Sequence, residues 1–228
     1  MRTWAEIDLD NLSHNIKTLK KYAGNKEIMG VVKADAYGHG AVEVVKAMSL
    51  EGIKNFGVAC VDEAKELRAN GIKDEILIFG CTPLEEWETA VKLDIQLTLA
   101  SFEEIKMIEE SKIYPTVHVA IETGMGRIGF EIDDAIEAIK YIRSKNLANI
   151  VGVYSHLSSA DVEEEDEYKK TQLKKFSIFE EMDIKYRHIL NSAGTLKYHD
   201  LTKSNMVRAG IIIYGIRPCE GDEHEFKP

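Results

Sequence analysis

Lys33 closes the apolar run Ile28-Met29-Gly30-Val31-Val32, and the small-residue turn Ala34-Asp35-Ala36-Tyr37-Gly38-His39-Gly40 follows it. An ammonium at the end of a buried strand is costly to desolvate, so a lysine there usually has a task. The plain alternative is a stem packed on the strand with its charge in solvent. Further reactive groups fall at the ends of later apolar runs. Glu122-Thr123-Gly124-Met125-Gly126-Arg127-Ile128-Gly129 follows the fifth run, and Ser155-His156 ends the sixth. Asn191-Ser192-Ala193-Gly194 ends the seventh, and Met206-Val207-Arg208-Ala209-Gly210-Ile211 lies in the eighth. Singly, each has an ordinary role. The glycines serve tight loops, the arginines surface ion pairs, His156 a carbonyl bond, and Asn191-Ser192 a cap or turn.

The elements that must position these groups follow from hydrophobic spacing. Thr3–Leu9 alternates as a short strand, Asp10 offers an N-cap, and Leu12, Ile16 and Leu19 repeat at helical spacing until Gly24. Seven further strands are expected after the Lys33 strand: 55–61, 75–80, 95–100, 116–121, 149–156, 187–191 and 207–214. Helices lie between them, with Pro83 opening one, Ser101 capping another, and a long charged helix over Glu163–Met182. Continuous apolar runs indicate strands buried on both faces, as in parallel sheets. Eight such runs alternating with helices predict an α/β fold closed as a (β/α)8 TIM barrel. An open doubly wound sheet is the alternative, and Gly38-His39-Gly40 is a poor match to the glycine-rich fingerprint it would need. The Thr3–Leu9 strand has no βα partner, and the polar tail Cys219–Pro228 brings no closing helix.

In a barrel, chemistry gathers at the C-terminal ends of the strands, and the loops after strands seven and eight commonly hold phosphate. Ser192 supplies a hydroxyl there, and Gly210 and Ile211 supply backbone amides. A lysine beside a phosphate site suggests a Schiff base to a phosphorylated aldehyde, with pyridoxal 5'-phosphate the obvious candidate.

Composition removes other classes. The 228 residues carry a net charge of −10, which argues against nucleic acid or anionic membrane as the main partner. The basic pairs Lys20-Lys21 and Lys174-Lys175 read as solvated helix faces. No stretch approaches a transmembrane span, and Met1-Arg2-Thr3-Trp4 lacks a signal-peptide segment, so a cytoplasmic protein is expected. Cys60, Cys81 and Cys219 form no CxxC pair, which suits a reducing compartment and excludes a cysteine zinc site. His156, His188 and His199 show no metal spacing, and no metal is expected.

The segment from Val31 through Lys33 and Tyr37 to Gly40 closely resembles the cofactor-lysine signature of alanine racemases, the fold-type III pyridoxal phosphate enzymes. Thr123–Gly129, Tyr154–His156, Asn191–Ala193 and Met206–Ile211 match further motifs of that family in the same order, and the likeness runs from Trp4 to about Pro218. The resemblance implies that Lys33 binds the cofactor and is one of two catalytic bases. It makes Tyr37, Ser192 and the backbone of Gly210 and Ile211 phosphate ligands. Arg208 would face the pyridine nitrogen, keep it unprotonated and limit side reactions such as transamination. His156 would hold Arg208, Arg127 would sit near the substrate carboxylate, and Asn191 would line the pocket. The implied reaction interconverts L- and D-alanine, which supplies peptidoglycan precursors.

There are two departures from the family pattern. Many members carry a carboxylated lysine seven residues before the arginine matching Arg127; here that position is Ala120. A bound anion or another carboxylate is left to take its place. The family also has a β-rich domain after the barrel, which supplies an opposing catalytic tyrosine across a homodimer interface and another phosphate-binding tyrosine. Residues 1–10 are therefore expected to belong with that further domain, 11–218 to form the cofactor-binding barrel, and 219–228 to be a cut linker. On that expectation the 228-residue chain alone is inactive. A single-domain pyridoxal phosphate-binding homeostasis protein fits the length better and the motifs worse. A barrel binding small phosphates without a Schiff base, and a serine or broad-specificity racemase, are the other readings.

Overall fold

The computed structural model describes residues 3–162, 166–219 and 225–228. Among them eight parallel strands close a barrel: β1 (Glu27–Val31), β2 (Asn55–Val58), β3 (Glu75–Ile78), β4 (Leu97–Leu99), β5 (Thr116–Ala120), β6 (Asn149–Tyr154), β7 (Tyr186–His188) and β8 (Met206–Ala209). Two ladders run β3-β2-β1-β8 and β4-β5-β6-β7. The first seam closes through Ile78 N–H to the Gln96 carbonyl at 3.0 Å and Gln96 N–H to the Ile76 carbonyl at 2.8 Å. The second closes through Asn205 N–H to Arg187 at 3.1 Å and Arg208 N–H to Leu190 at 2.9 Å.

Helices α1 (Leu9–Ala23), α3 (Ala41–Leu50), α4 (Val61–Ala69), α5 (Leu84–Lys92), α6 (Phe102–Ser111), α7 (Ile132–Lys145), α8 (Asp166–Glu180) and α9 (Ser192–Tyr198) accompany the strands, with a short turn, α2 (Lys33–Gly38), after β1. Each sequence signal has a visible consequence. Leu12, Ile16 and Leu19 are the buried stripe of α1. Ser101 and Glu104 form a reciprocal capping box that satisfies free amides at the start of α6. The main core lies between helices and strands, and alternate strand residues face the other way. Ile28 and Ile76 join the helix-facing cluster, while Met29 and Leu77 join Tyr186 and Met206 in a smaller one.

Three expectations need correction, and a fourth falls partly outside the described residues. Residues 3–8 form no strand and are exposed; a strand needs a partner edge, and the barrel has used all of its own. The cap of α1 is Asp8, not Asp10, because the helix begins at Leu9 and the Asp8 carboxylate accepts from the Asp10 and Asn11 amides at 2.9 and 3.1 Å. The last strand stops at Ala209, and Ile211–Tyr214 is a 3-10 turn. An apolar run looks alike in both states, and periodicity does not separate short elements. The charged helix is described from Asp166 to Glu180, and the expected residues 163–165 lie outside the described residues. At the other end, Lys227 N–H donates to Asn15 Oδ1 at 2.7 Å and Asn15 Nδ2 donates to the Lys227 carbonyl at 2.7 Å, which lays 225–228 against α1.

Phe56, fully buried in β2, packs beside Gly30, where the Met48 sulfur takes the space that a Cβ would need. Phe56→Ala is expected to lower stability by roughly 3–5 kcal/mol in urea unfolding, the usual result of emptying a large aromatic site.

Candidate active site

At the C-terminal ends of the strands lies a cavity of about 500 Å³ whose lining includes Lys33, Tyr37, Arg127, His156, Asn191, Ser192, Arg208, Gly210 and Ile211. All nine residues singled out from the sequence therefore meet in one place. His39 and Asp35 do not join them. The His39 ring stacks on Tyr214 at 4.6 Å, and the Asp35 carboxylate accepts from the Ala41 amide at 2.7 Å.

Lys33 and Tyr37 are placed by an unusual backbone. Ala34, Asp35, Ala36 and Tyr37 have φ of 51–56° and ψ of 33–52°, a left-handed turn made of four L-residues without glycine. Such a turn costs about 1–2 kcal/mol per residue. It is held by the Glu63 carboxylate, which accepts from the Ala34 amide at 2.7 Å, and by the Gly40 amide, which donates to the Asp35 carbonyl at 3.0 Å. Ala36 is fully buried and Tyr37 tilts against Tyr214 at 5.3 Å. The result brings the Tyr37 hydroxyl to the strand β8 exit. A Cβ on Gly210 would lie 2.8 Å from that oxygen. The Gly210 amide donates to Ser192 Oγ at 3.1 Å, and the Ile211 amide has no backbone acceptor among the described residues.

Arg208 is 4 % exposed and donates in every direction it can reach. Nη1 donates to His188 Nδ1 and to the His188 carbonyl, both at 2.9 Å. Nη2 serves the Ser155 carbonyl at 2.6 Å, His156 Nδ1 at 3.1 Å and the Ile189 carbonyl at 3.2 Å. A guanidinium has no lone pair to offer, so both histidines accept through Nδ1 and are neutral. Burial, reinforced by the charges of Arg208, Arg127 and Lys33, pushes His156 down to about 3. Burial lowers Arg208 itself to about 10, which leaves it a cation at neutral pH.

Arg127 reaches the cavity on a loop organised by Glu122, whose carboxylate accepts from the amides of Gly124, Gly126 and Arg127, the last two at 2.8 and 3.3 Å. Gly129 closes this loop at φ 126°, where a Cβ would collide with the backbone of Ile121. Arg127 is exposed. Ala120 is buried at 1 % and offers no charge to orient it.

The family model for the N-terminal domain of alanine racemase matches residues 7–218. The chain belongs to the alanine racemase family. It is 42% identical over 217 residues to alanine racemase of Fusobacterium nucleatum subsp. nucleatum, covering 94% of this chain and 61% of that protein. To alanine racemase 1 of Clostridium acetobutylicum it is 39% identical over 226 residues, covering 94% and 58%. The solved alanine racemase of Clostridium difficile 630 superposes with a TM-score of 0.89 at 37% identity, covering 96% of this chain and 60% of that one. The chain thus spans about three fifths of the relatives it matches.

Tyr154, Phe79 and Asp161 also line the cavity and are not among the residues singled out from the sequence. Tyr154 stands inside a racemase-like motif, which is the signal that marks it. Its hydroxyl pairs with Thr98 Oγ1 at 2.9 Å, and its ring lies 5.5 Å from the Arg208 guanidinium. Glu122 was visible only as part of a loop, because its three amide contacts depend on the turn it closes.

Neutral burial of histidine has a thermodynamic sign. His118 and His156 fall to about 3 in the folded chain against 6.5 ordinarily. The unfolded chain therefore binds more protons between those values, and stability present above the unfolded value is lost as pH falls through this window. The urea midpoint is expected to be lower at about pH 5 than at about pH 7.5; a level or rising midpoint would contradict it.

Proposed function

We propose that this chain is the cofactor-binding barrel of an alanine racemase that uses pyridoxal 5'-phosphate to interconvert L- and D-alanine for peptidoglycan precursors. The observation that carries the proposal is that Arg208, among the described residues, is bonded by carbonyls and neutral imidazoles and by no carboxylate. A ring nitrogen facing Arg208 meets only a donor and stays unprotonated, which suits racemisation without transamination.

The residues fit the cofactor. The cavity has the volume of a small-molecule site. Its β8 end is a cradle where a side chain on Gly210 would meet the Tyr37 hydroxyl, with Ser192, Gly210 and Ile211 in the same lining. When bound, pyridoxal phosphate supplies an electron sink conjugated to the substrate α-carbon. Tyr37, Ser192 and the amides of Gly210 and Ile211 bind the phosphate. Arg208 orients the ring through its nitrogen, and His156 holds Arg208. Lys33 holds the cofactor and moves the α-proton on one substrate face through Nζ. Arg127 and Asn191 bind on the substrate side.

The opposite face takes its base, a tyrosine, from a β-rich domain of the partner in a homodimer. Residues ahead of α1 and the tail after Pro218 connect to that domain. The names of the relatives support this reading over a lone-barrel binding protein. They support alanine over serine or a broad range of amino acids, and pocket volume in the assembled dimer tests that choice.

Pyridoxal phosphate added to the chain is expected to give a visible absorption band that borohydride abolishes with covalent retention of the cofactor. Lys33→Ala should lose both, with binding weakened at least tenfold; a band that survives in Lys33→Ala overturns the assignment. With one base of two, the 228-residue chain should racemise alanine at close to the background rate in a circular-dichroism assay. A rate comparable to a full-length relative would remove the need for a second base from elsewhere.

A further inference from the structure

The pocket side of Arg208 is only half of its environment. On its inner side a line of side chains crosses the barrel from β8 to β3. Arg208 Nη1 donates to His188 Nδ1 at 2.9 Å. His188 Nε2 meets His118 Nδ1 at 2.9 Å, and His118 Nε2 meets Gln96 Oε1 at 2.8 Å. Gln96 Nε2 then donates to the Glu75 carboxylate. His118 and His188 are fully buried, Gln96 is nearly so, and Glu75 stands exposed at the first residue of β3.

The chemistry of the two ends fixes the direction of every bond between them. Arginine can only donate, so His188 Nδ1 is an acceptor and its proton sits on Nε2. That proton is donated to His118 Nδ1, which places the His118 proton on Nε2. Gln96 Oε1 receives it, and the Gln96 amide nitrogen faces Glu75, which can only accept when ionised. Reversing any single link leaves a buried donor against a donor or an acceptor against an acceptor, at a penalty of about 1–3 kcal/mol.

Packing holds both rings in the plane this order requires. Tyr154 stacks on His188 at 5.2 Å with 11° between the planes, and Tyr186 stacks on His118 at 5.7 Å with 13°. Gly152 sits beside His118, where any Cβ would overlap the imidazole. Burial also keeps the two histidines neutral: His118 falls to about 3, and His188 lies well below its ordinary value.

We propose that His118 is a positioning residue: it accepts the Nε2 proton that Arg208 forces onto His188, and so holds the His188 ring where its Nδ1 lone pair fixes the guanidinium at the cavity. Gln96 and Glu75 terminate the relay and give it its polarity. The relay stands on side-chain geometry alone; its consequence for a cofactor rests on the function proposed above.

The two are separated by one set of measurements on the 228-residue chain. Long-range ¹H–¹⁵N spectra of the cofactor-free, histidine-labelled protein should show His118 and His188 both protonated on Nε2. His118→Asn, whose Oδ1 replaces the Nδ1 acceptor, should keep the His188 Nε2 proton hydrogen-bonded, with its downfield resonance and slow exchange. His118→Leu should leave that proton without its acceptor and lose both signs, and Gly152→Ala, which displaces the His118 ring while changing no polar group, should do the same. Affinity for pyridoxal phosphate should fall about tenfold in His118→Leu and be retained in His118→Asn, with about 1.4 kcal/mol corresponding to tenfold. His188 protonated on Nδ1 in the unsubstituted protein overturns the relay without need of any variant. So does an unchanged His188 Nε2–H resonance and exchange rate in a folded His118→Leu, or an equal loss of affinity in the Asn and Leu variants. A protein with the expected tautomers that fails to bind pyridoxal phosphate overturns the function proposed above and leaves the relay standing.

Discussion

Arg208 is a buried cation with no carboxylate facing it among the described residues, and much of the barrel's polar interior is arranged around that fact. Taking a guanidinium out of water costs several kcal/mol even after relaxation. The usual remedy is an acid partner, which would neutralise the charge. Here the remedy is a ring of dipoles: three carbonyls at the ends of β6 and β7 and two imidazole nitrogens. Strand ends provide those carbonyls, and the His188 carbonyl also accepts from the Ser155 amide at 3.1 Å. The charge is preserved at the cavity and the imidazoles are forced to stay neutral.

A second constraint acts across the cavity mouth. The left-handed turn after β1 would cost roughly 4–8 kcal/mol over four residues if nothing offset it. Two short hydrogen-bonded contacts from Glu63 and Asp35, together with the burial of Ala36 and the Tyr37–Tyr214 contact, hold it in place. A right-handed turn would continue as an ordinary helix and carry Tyr37 away from Gly210. The strain therefore sits at the point where Lys33 and Tyr37 must address one cavity from neighbouring positions, as strained backbone often does at functional sites.

The Arg127 loop shows a different economy. Glu122 organises the loop backbone through three amides, so the position of Arg127 is set from behind by main chain. Its guanidinium is exposed and Ala120 brings no charge beneath it. Arg127 is thus less fixed than Arg208, which is held by five hydrogen bonds.

The sequence by itself determined the barrel and nine of the residues that line the cavity, but not Phe79, Tyr154 or Asp161. Buried parallel strands leave continuous apolar runs, and chemistry collects at their C-terminal ends, so order along the chain maps directly to place in the barrel. It did not determine the Thr3–Leu9 segment, which alternates like a strand but has no open edge to join. Nor did it distinguish the end of β8 from the 3-10 turn at Ile211–Tyr214, since both are apolar and short. The left-handed turn was hidden as well, because Ala, Asp and Tyr do not announce positive φ as glycine does. Only the tertiary structure decided the line from Arg208 to Glu75. Its members lie on five different strands or strand entries, far apart in the chain. Histidine and glutamine read as either donors or acceptors until the fold puts an arginine at one end and a carboxylate at the other.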